Sequence, residues 1–177
     1  MKSTALAASS AAALLFAVAA PTHSQQEAPY ARFVGTYESD SVAADRQTIE
    51  DAILRGTEPM GPLRRSVARR RLRNVNEPVR VLRILVEGEH LVTDFDGDRY
   101  VSHLDGRPQR GRDPEGKIVT VIYREAGNVL HARYVGEDGE KRIDFVRSTG
   151  DRLTLSVSLM SDQLPATIRY RLPYHAR

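Results

Sequence analysis

Within residues 153–160, Leu-Thr-Leu-Ser-Val-Ser-Leu-Met, apolar and polar side chains alternate without a break from Leu153 to Leu159. Successive side chains of a strand point to opposite faces, so Leu153, Leu155, Val157 and Leu159 would form an oily face and Thr154, Ser156 and Ser158 a hydroxyl face. Weaker versions of this pattern surround it. Residues 32–37 read as a first strand, with Phe33 and Gly35 on one face. The period then becomes helical. Ser41 or Asp40 caps a helix to about residue 54, with Val42, Ile49 and Ile53 as its apolar stripe and Gly56 as its left-handed end. Pro59 and Pro62 suit the first turn of a second helix, which runs to about Val75 with Leu63, Val67, Ala68, Leu72 and Val75 on its apolar side. Pro78 closes the helical region.

From residue 79 the period is two again. Val79 and Val81, then Ile84 and Val86, are apolar, and the slip in phase predicts a β-bulge near Leu82 and Arg83. Further strands are expected at 91–95, 99–103, 118–123, 129–135, 141–147 and 167–174, with Asp96-Gly97, Gly127-Asn128 and Asp138-Gly139 as turns. Residues 105–116, rich in Gly, Pro, Arg and Asp, read as a loop. The pattern therefore predicts an all-β fold with a helical insertion. It is an antiparallel up-and-down β-barrel or half-barrel of about eight or nine strands, with two helices between strands 1 and 2.

Composition changes this picture at the amino terminus. Lys2 precedes an apolar run, residues 11–20, that ends in small residues before Pro21. The run falls short of the ~20 apolar residues of a membrane span. Residues 1–24 are thus expected to be a cleaved signal peptide, with 25–177 as one barrel domain that is periplasmic or secreted and monomeric. The chain has no cysteine, which excludes disulfides, thiolate metal sites and cysteine nucleophiles. Its formal charge of +3 is too mild to indicate a nucleic-acid partner.

Phe33-Val34-Gly35-Thr36-Tyr37, followed by a helix–turn–helix and a β-meander, resembles the fatty-acid-binding proteins of the lipocalin-like (calycin) group. Tyr37 stands where that family has tryptophan. Ile168-Arg169-Tyr170-Arg171 is similar to the family's terminal Arg-x-Tyr, which holds a ligand carboxylate, although adjacent residues of a strand face opposite ways. The resemblance implies a barrel that carries a lipid-like ligand.

The candidate site follows from arginines in unusual places. Arg64 and Arg71 fall within the apolar sector of the second helix, and Arg46 lines up with Val42, Ile49 and Ile53. An arginine on a packing face must pair, reach water or meet a ligand anion. Pairing with Asp45, Glu50 or strand carboxylates is one outcome. The other is that Arg46, Arg64 and Arg71, with Arg169, contact an anionic head group while Phe33, Tyr37, Tyr123 and Tyr170 wall a cavity. Arg65, Arg69, Arg70 and Arg73 read as a solvated face, and the Arg-rich helix suits contact with a membrane surface. Asp94-Phe95-Asp96-Gly97-Asp98 resembles the start of a calcium loop, but no glutamate follows at the required spacing, and a hairpin explains the same residues. No catalytic, metal or cofactor motif emerges. The expected function is non-catalytic binding of a small amphipathic or apolar ligand, with a filled structural or interaction module as the alternative.

Overall fold

Ten strands form one antiparallel sheet in the computed structural model, which describes residues 30–177 except 114 and 149. The expected signal peptide lies outside the described residues. In chain order the elements are a 3-10 turn Ala31–Phe33, β1 Gly35–Ser39, α1 Val42–Thr57, α2 Pro62–Val75, β2 Val81–Glu87, β3 His90–Phe95, β4 Asp98–His103, β5 Gln109–Arg112, β6 Ile118–Ala126, β7 Val129–Gly136, β8 Gly139–Arg147, β9 Arg152–Met160 and β10 Ile168–Ala176. Their spatial order is β4-β3-β2-β1-β10-β9-β8-β7-β6-β5. Each hairpin pairs with its sequence neighbour, and β1 joins the two halves by pairing with both β2 and β10. The sheet edges, β4 and β5, approach each other. There Ser102 Oγ donates to the Val121 and Arg107 carbonyls at 3.2 Å each, so the barrel is nearly closed.

The core lies inside this barrel. Leu153, Leu155, Val157 and Leu159 of β9 are all buried, beside Ile168, Tyr170, Leu172 and Tyr174 of β10. Phe33, Tyr37, Leu130 and Phe145 fill the end of the barrel opposite the β7–β8 turn. That end is sealed by Tyr30, whose hydroxyl donates to the Leu104 carbonyl at 3.0 Å.

Three local expectations are corrected. The strands number ten, not eight or nine, because β5 lies within the expected loop at 105–116. Gln109-Arg110-Gly111-Arg112 has no apolar side chain to show alternation, and is held by backbone pairing to β6 alone. No bulge interrupts β2: Leu82, Arg83 and Ile84 pair in unbroken register with Tyr37, Thr36 and Gly35. Leu82 and Ile84 face the core while Val81 lies on the outer face, so an apolar outer residue imitates a change of phase. Gly56 does not end α1 but lies inside it. A β-carbon there would sit 2.4 Å from Ile168 Cγ1, so glycine permits α1 to cross β10 closely. The helix starts at Ser41, whose side chain accepts from the Ala44 amide.

Candidate functional site

Helix α2 sits over one end of the barrel, where its half-buried Leu72 packs against the core. None of its residues is buried, and Leu63 and Val67 are 80% and 49% exposed. Its attachment to α1 and to the turn that joins the two helices is polar. Arg65 donates to the Glu58 and Met60 carbonyls at 2.7 Å, Arg69 donates to Thr57 Oγ1 at 2.9 Å, and Arg73 forks onto Glu50. Three arginines expected on a solvated face thus form the seam between the helices. This seam turns the apolar side of α2 toward the barrel mouth.

Under that side lies a cavity of about 540 Å³. Its walls include Leu63, Val67, Ala68 and Leu72 of α2, Ile118 and Val119 of β6, Tyr134 of β7 and Leu159 of β9. A second cavity of about 340 Å³ opens between the end of α2 and the β3–β4 turn. Tyr134 and Lys141 line both. Ligand pockets typically hold ~300–1,000 Å³ and combine apolar walls with few polar groups, which describes the larger cavity.

The polar groups fall at two levels. At the rim, Arg71 pairs with Asp138 of the β7–β8 turn, which also accepts from Lys117 Nζ at 3.2 Å. Those cations hold the Asp138 carboxyl below its usual range, the Lys117 hydrogen bond contributing most. Arg64, also at the rim, is exposed and has no ion pair among the described residues. Deeper, Lys141 lies in register between Tyr134 and Leu159. It forms no side-chain hydrogen bond or ion pair among the described residues, and burial pulls its pKa from 10.5 down to about 8 against a weak opposing pull from Asp98. Below it, Thr93 Oγ1 lies 2.6 Å from the Tyr123 hydroxyl and 3.3 Å from that of Tyr134, and burial pushes both phenols upward.

The candidate residues divide by location. Arg64 and Arg71 meet at the rim of the larger cavity. Arg46 is exposed on α1, because the buried stripe is Asp45, Ile49, Ala52, Ile53 and Thr57 and leaves position 46 outside it. Arg169 is exposed on the outer face of β10. Neither arginine lines either cavity. Tyr37, Tyr123 and Tyr170 belong to the packed interior, where Tyr37 donates to the Phe33 carbonyl at 2.8 Å and Tyr170 to Asn76 Oδ1 at 3.2 Å. Phe33 is likewise fully buried. Lys141 and Tyr134 were not among the expected site residues, though the phase of β8 contains the signal, since Lys141 shares a face with Ile143 and Phe145. Asp94, Asp96 and Asp98 do not converge. Asp94 accepts from the Gly97 amide at 2.8 Å, and Asp96 accepts from the Arg80 and Val81 amides, as a hairpin anchored to β2 requires.

No protein-family model matches the chain, and no curated protein does. Solved structures do. A secretory abundant heat soluble protein from Ramazzottius varieornatus aligns over 82% of this chain and 95% of its own, with TM-score 0.54 and 13% identity. Lipid binding protein 8 of Caenorhabditis elegans covers 82% and 95%, with TM-score 0.51 and 12% identity. Fatty-acid-binding protein 1 of Echinococcus granulosus covers 81% and 96%, with TM-score 0.50 and 12% identity. The fold is a lipocalin-like (calycin) barrel of the fatty-acid-binding-protein type.

Proposed function

We propose that the protein is a non-catalytic carrier or sensor of a small amphipathic or apolar molecule, held between α2 and the barrel. One observation carries this reading: an amphipathic helix sets Leu72 against the core but holds Leu63 and Val67, both exposed, over a cavity of about 540 Å³. A filled structural module would bury Leu63 and Val67 as well. The fold permits this reading, because small barrels hold one small ligand or are filled by side chains. An acidic head group would meet Arg64 and Arg71 at the rim, where guanidinium groups bind carboxylate or phosphate through paired hydrogen bonds. Leu63, Val67 and Ile118, exposed beside Arg64, give the mouth an apolar border suited to receiving such a molecule from a membrane surface.

The test is displacement of an environment-sensitive fluorescent probe by oleate, by the corresponding alcohol and by the corresponding amine. All three chains are expected to displace, with oleate tightest. Arg64→Glu should weaken oleate by about tenfold, equivalent to about 1.4 kcal/mol, while sparing the alcohol. Displacement by none of them, from protein stripped of bound lipid, would contradict the proposal. Export rests on the pattern of residues 1–24 and is tested by amino-terminal sequencing of protein from the periplasm or medium, where a chain still beginning at Met1 would overturn it.

A further inference from the structure

Of the 26 basic residues in the chain, three are lysines: Lys2, Lys117 and Lys141. Lys117 is exposed and paired with Glu115 and Asp138. Lys141 projects from β8 into the interior, on the face of Ile143 and Phe145, at the wall that two cavities share. Its cross-strand neighbours are Tyr134 and Leu159, and no carboxylate lies within ion-pairing distance among the described residues. In a protein that mostly uses arginine, this position carries lysine, the cationic side chain able to become a neutral nucleophile. An arginine would keep its proton and supply charge alone. Desolvated lysines in apolar pockets are the usual amines of imine chemistry.

We propose that Lys141 captures apolar aldehydes as a reversible imine, making it a covalent anchor for carbonyl-bearing ligands. This rests on the reading that an apolar chain enters the cavity under α2. The lysine Nζ attacks the carbonyl carbon and a C–N bond forms. The carbonyl oxygen leaves as water with the two amine hydrogens, giving a C=N bond. Nothing is oxidised or reduced, and addition of water reverses the step. Burial favours it: with a pKa of about 8, about a tenth of the side chain is neutral at pH 7, whereas a free lysine is almost wholly protonated. Lys141 lies between Tyr134 and Leu159 on the cavity wall, so an aldehyde that meets it lays its chain against the apolar walls, and selectivity for apolar carbonyls follows.

The experiment treats the full protein with hexadecanal and cyanoborohydride, followed by intact mass and peptide mapping. The expected result is one adduct per chain, heavier by the aldehyde less its oxygen, on the peptide containing Lys141. Saturating oleate should suppress it. Lys141→Arg, which keeps the charge and is checked for folding by circular dichroism, should lose it. Labelling of Lys117 or the terminal amine as fast as Lys141, or an adduct that persists in Lys141→Arg, would overturn the inference. Native mass spectrometry of the same sample with oleate separates the two readings. Oleate bound without an imine defeats only the capture of aldehydes, whereas neither oleate nor adduct defeats both.

Discussion

A lysine in water holds its proton to about pH 10.4, and the partial burial of Lys141 against the apolar wall is therefore a cost carried by the fold. The sign of its pH dependence follows. Between about pH 8 and its unperturbed value of 10.5 the unfolded chain binds a proton that the folded chain has lost, so stability rises with pH through that window. Near pH 10 the trend reverses, because half-buried Tyr100 and buried Tyr123, Tyr170 and Tyr174 resist ionisation in the fold while unfolded tyrosines ionise freely. Lys141→Met is expected to raise the urea midpoint at pH 7 and to abolish the rise between pH 8 and 10. A lower midpoint at pH 7 would show that the charge is already satisfied. The sequence contained this residue in plain view, since Lys141, Ile143 and Phe145 alternate in phase. A charged residue at the start of a strand, two places past an Asp-Gly turn, ordinarily points to water, and only the barrel's closure directs it inward.

At the scale of elements, α1 is held by apolar packing and α2 by arginines, which gives them different fates under perturbation. Gly56→Ala would place its methyl against Ile168 in the α1–β10 crossing. Overpacking costs about 1–3 kcal/mol, against the gain of roughly 1 kcal/mol that alanine brings to a helix interior. The expected result in urea denaturation is a net loss, relieved in an Ile168→Ala background; equal effects in both backgrounds would rule the crossing out as the cause. Arg69→Ala removes the hydrogen bond to Thr57 and should speed amide exchange throughout α2 while leaving β7, β8 and β9 unchanged. Unchanged exchange in α2 would mean that its apolar side, not the seam, holds it. The boundaries of α2 were legible from Pro62 and Pro78, yet its rotation was not. Spacing gives the apolar side, while Arg65, Arg69 and Arg73 look like a solvated face because their acceptors are the Glu58 and Met60 carbonyls of the connecting turn and the Thr57 hydroxyl and Glu50 carboxylate of α1, which no periodicity shows. Arg46 misled in the opposite way, since Val42 is only half-buried and the true stripe passes through Asp45.

For the whole molecule, the order strand, two helices and meander was enough to indicate the barrel, because tight turns leave few other ways to pair the strands. What the order cannot show is that one end is packed with Phe33, Tyr37 and Phe145 while the other is hollow beneath α2. Hollowness is a volume difference between facing side chains, and it depends on which way a lid helix is turned. The central claim is that this hollow end holds one ligand. Native mass spectrometry of lipid-stripped protein with oleate, beside Ala68→Trp, tests it most directly. Ala68 lines the cavity from a helix with no buried residue, so an indole there should fill the space without disturbing the barrel. The account predicts one oleate per wild-type chain and none, at the same concentration, on Ala68→Trp. An unshifted mass for the wild type, or equal loading of both proteins, would contradict it.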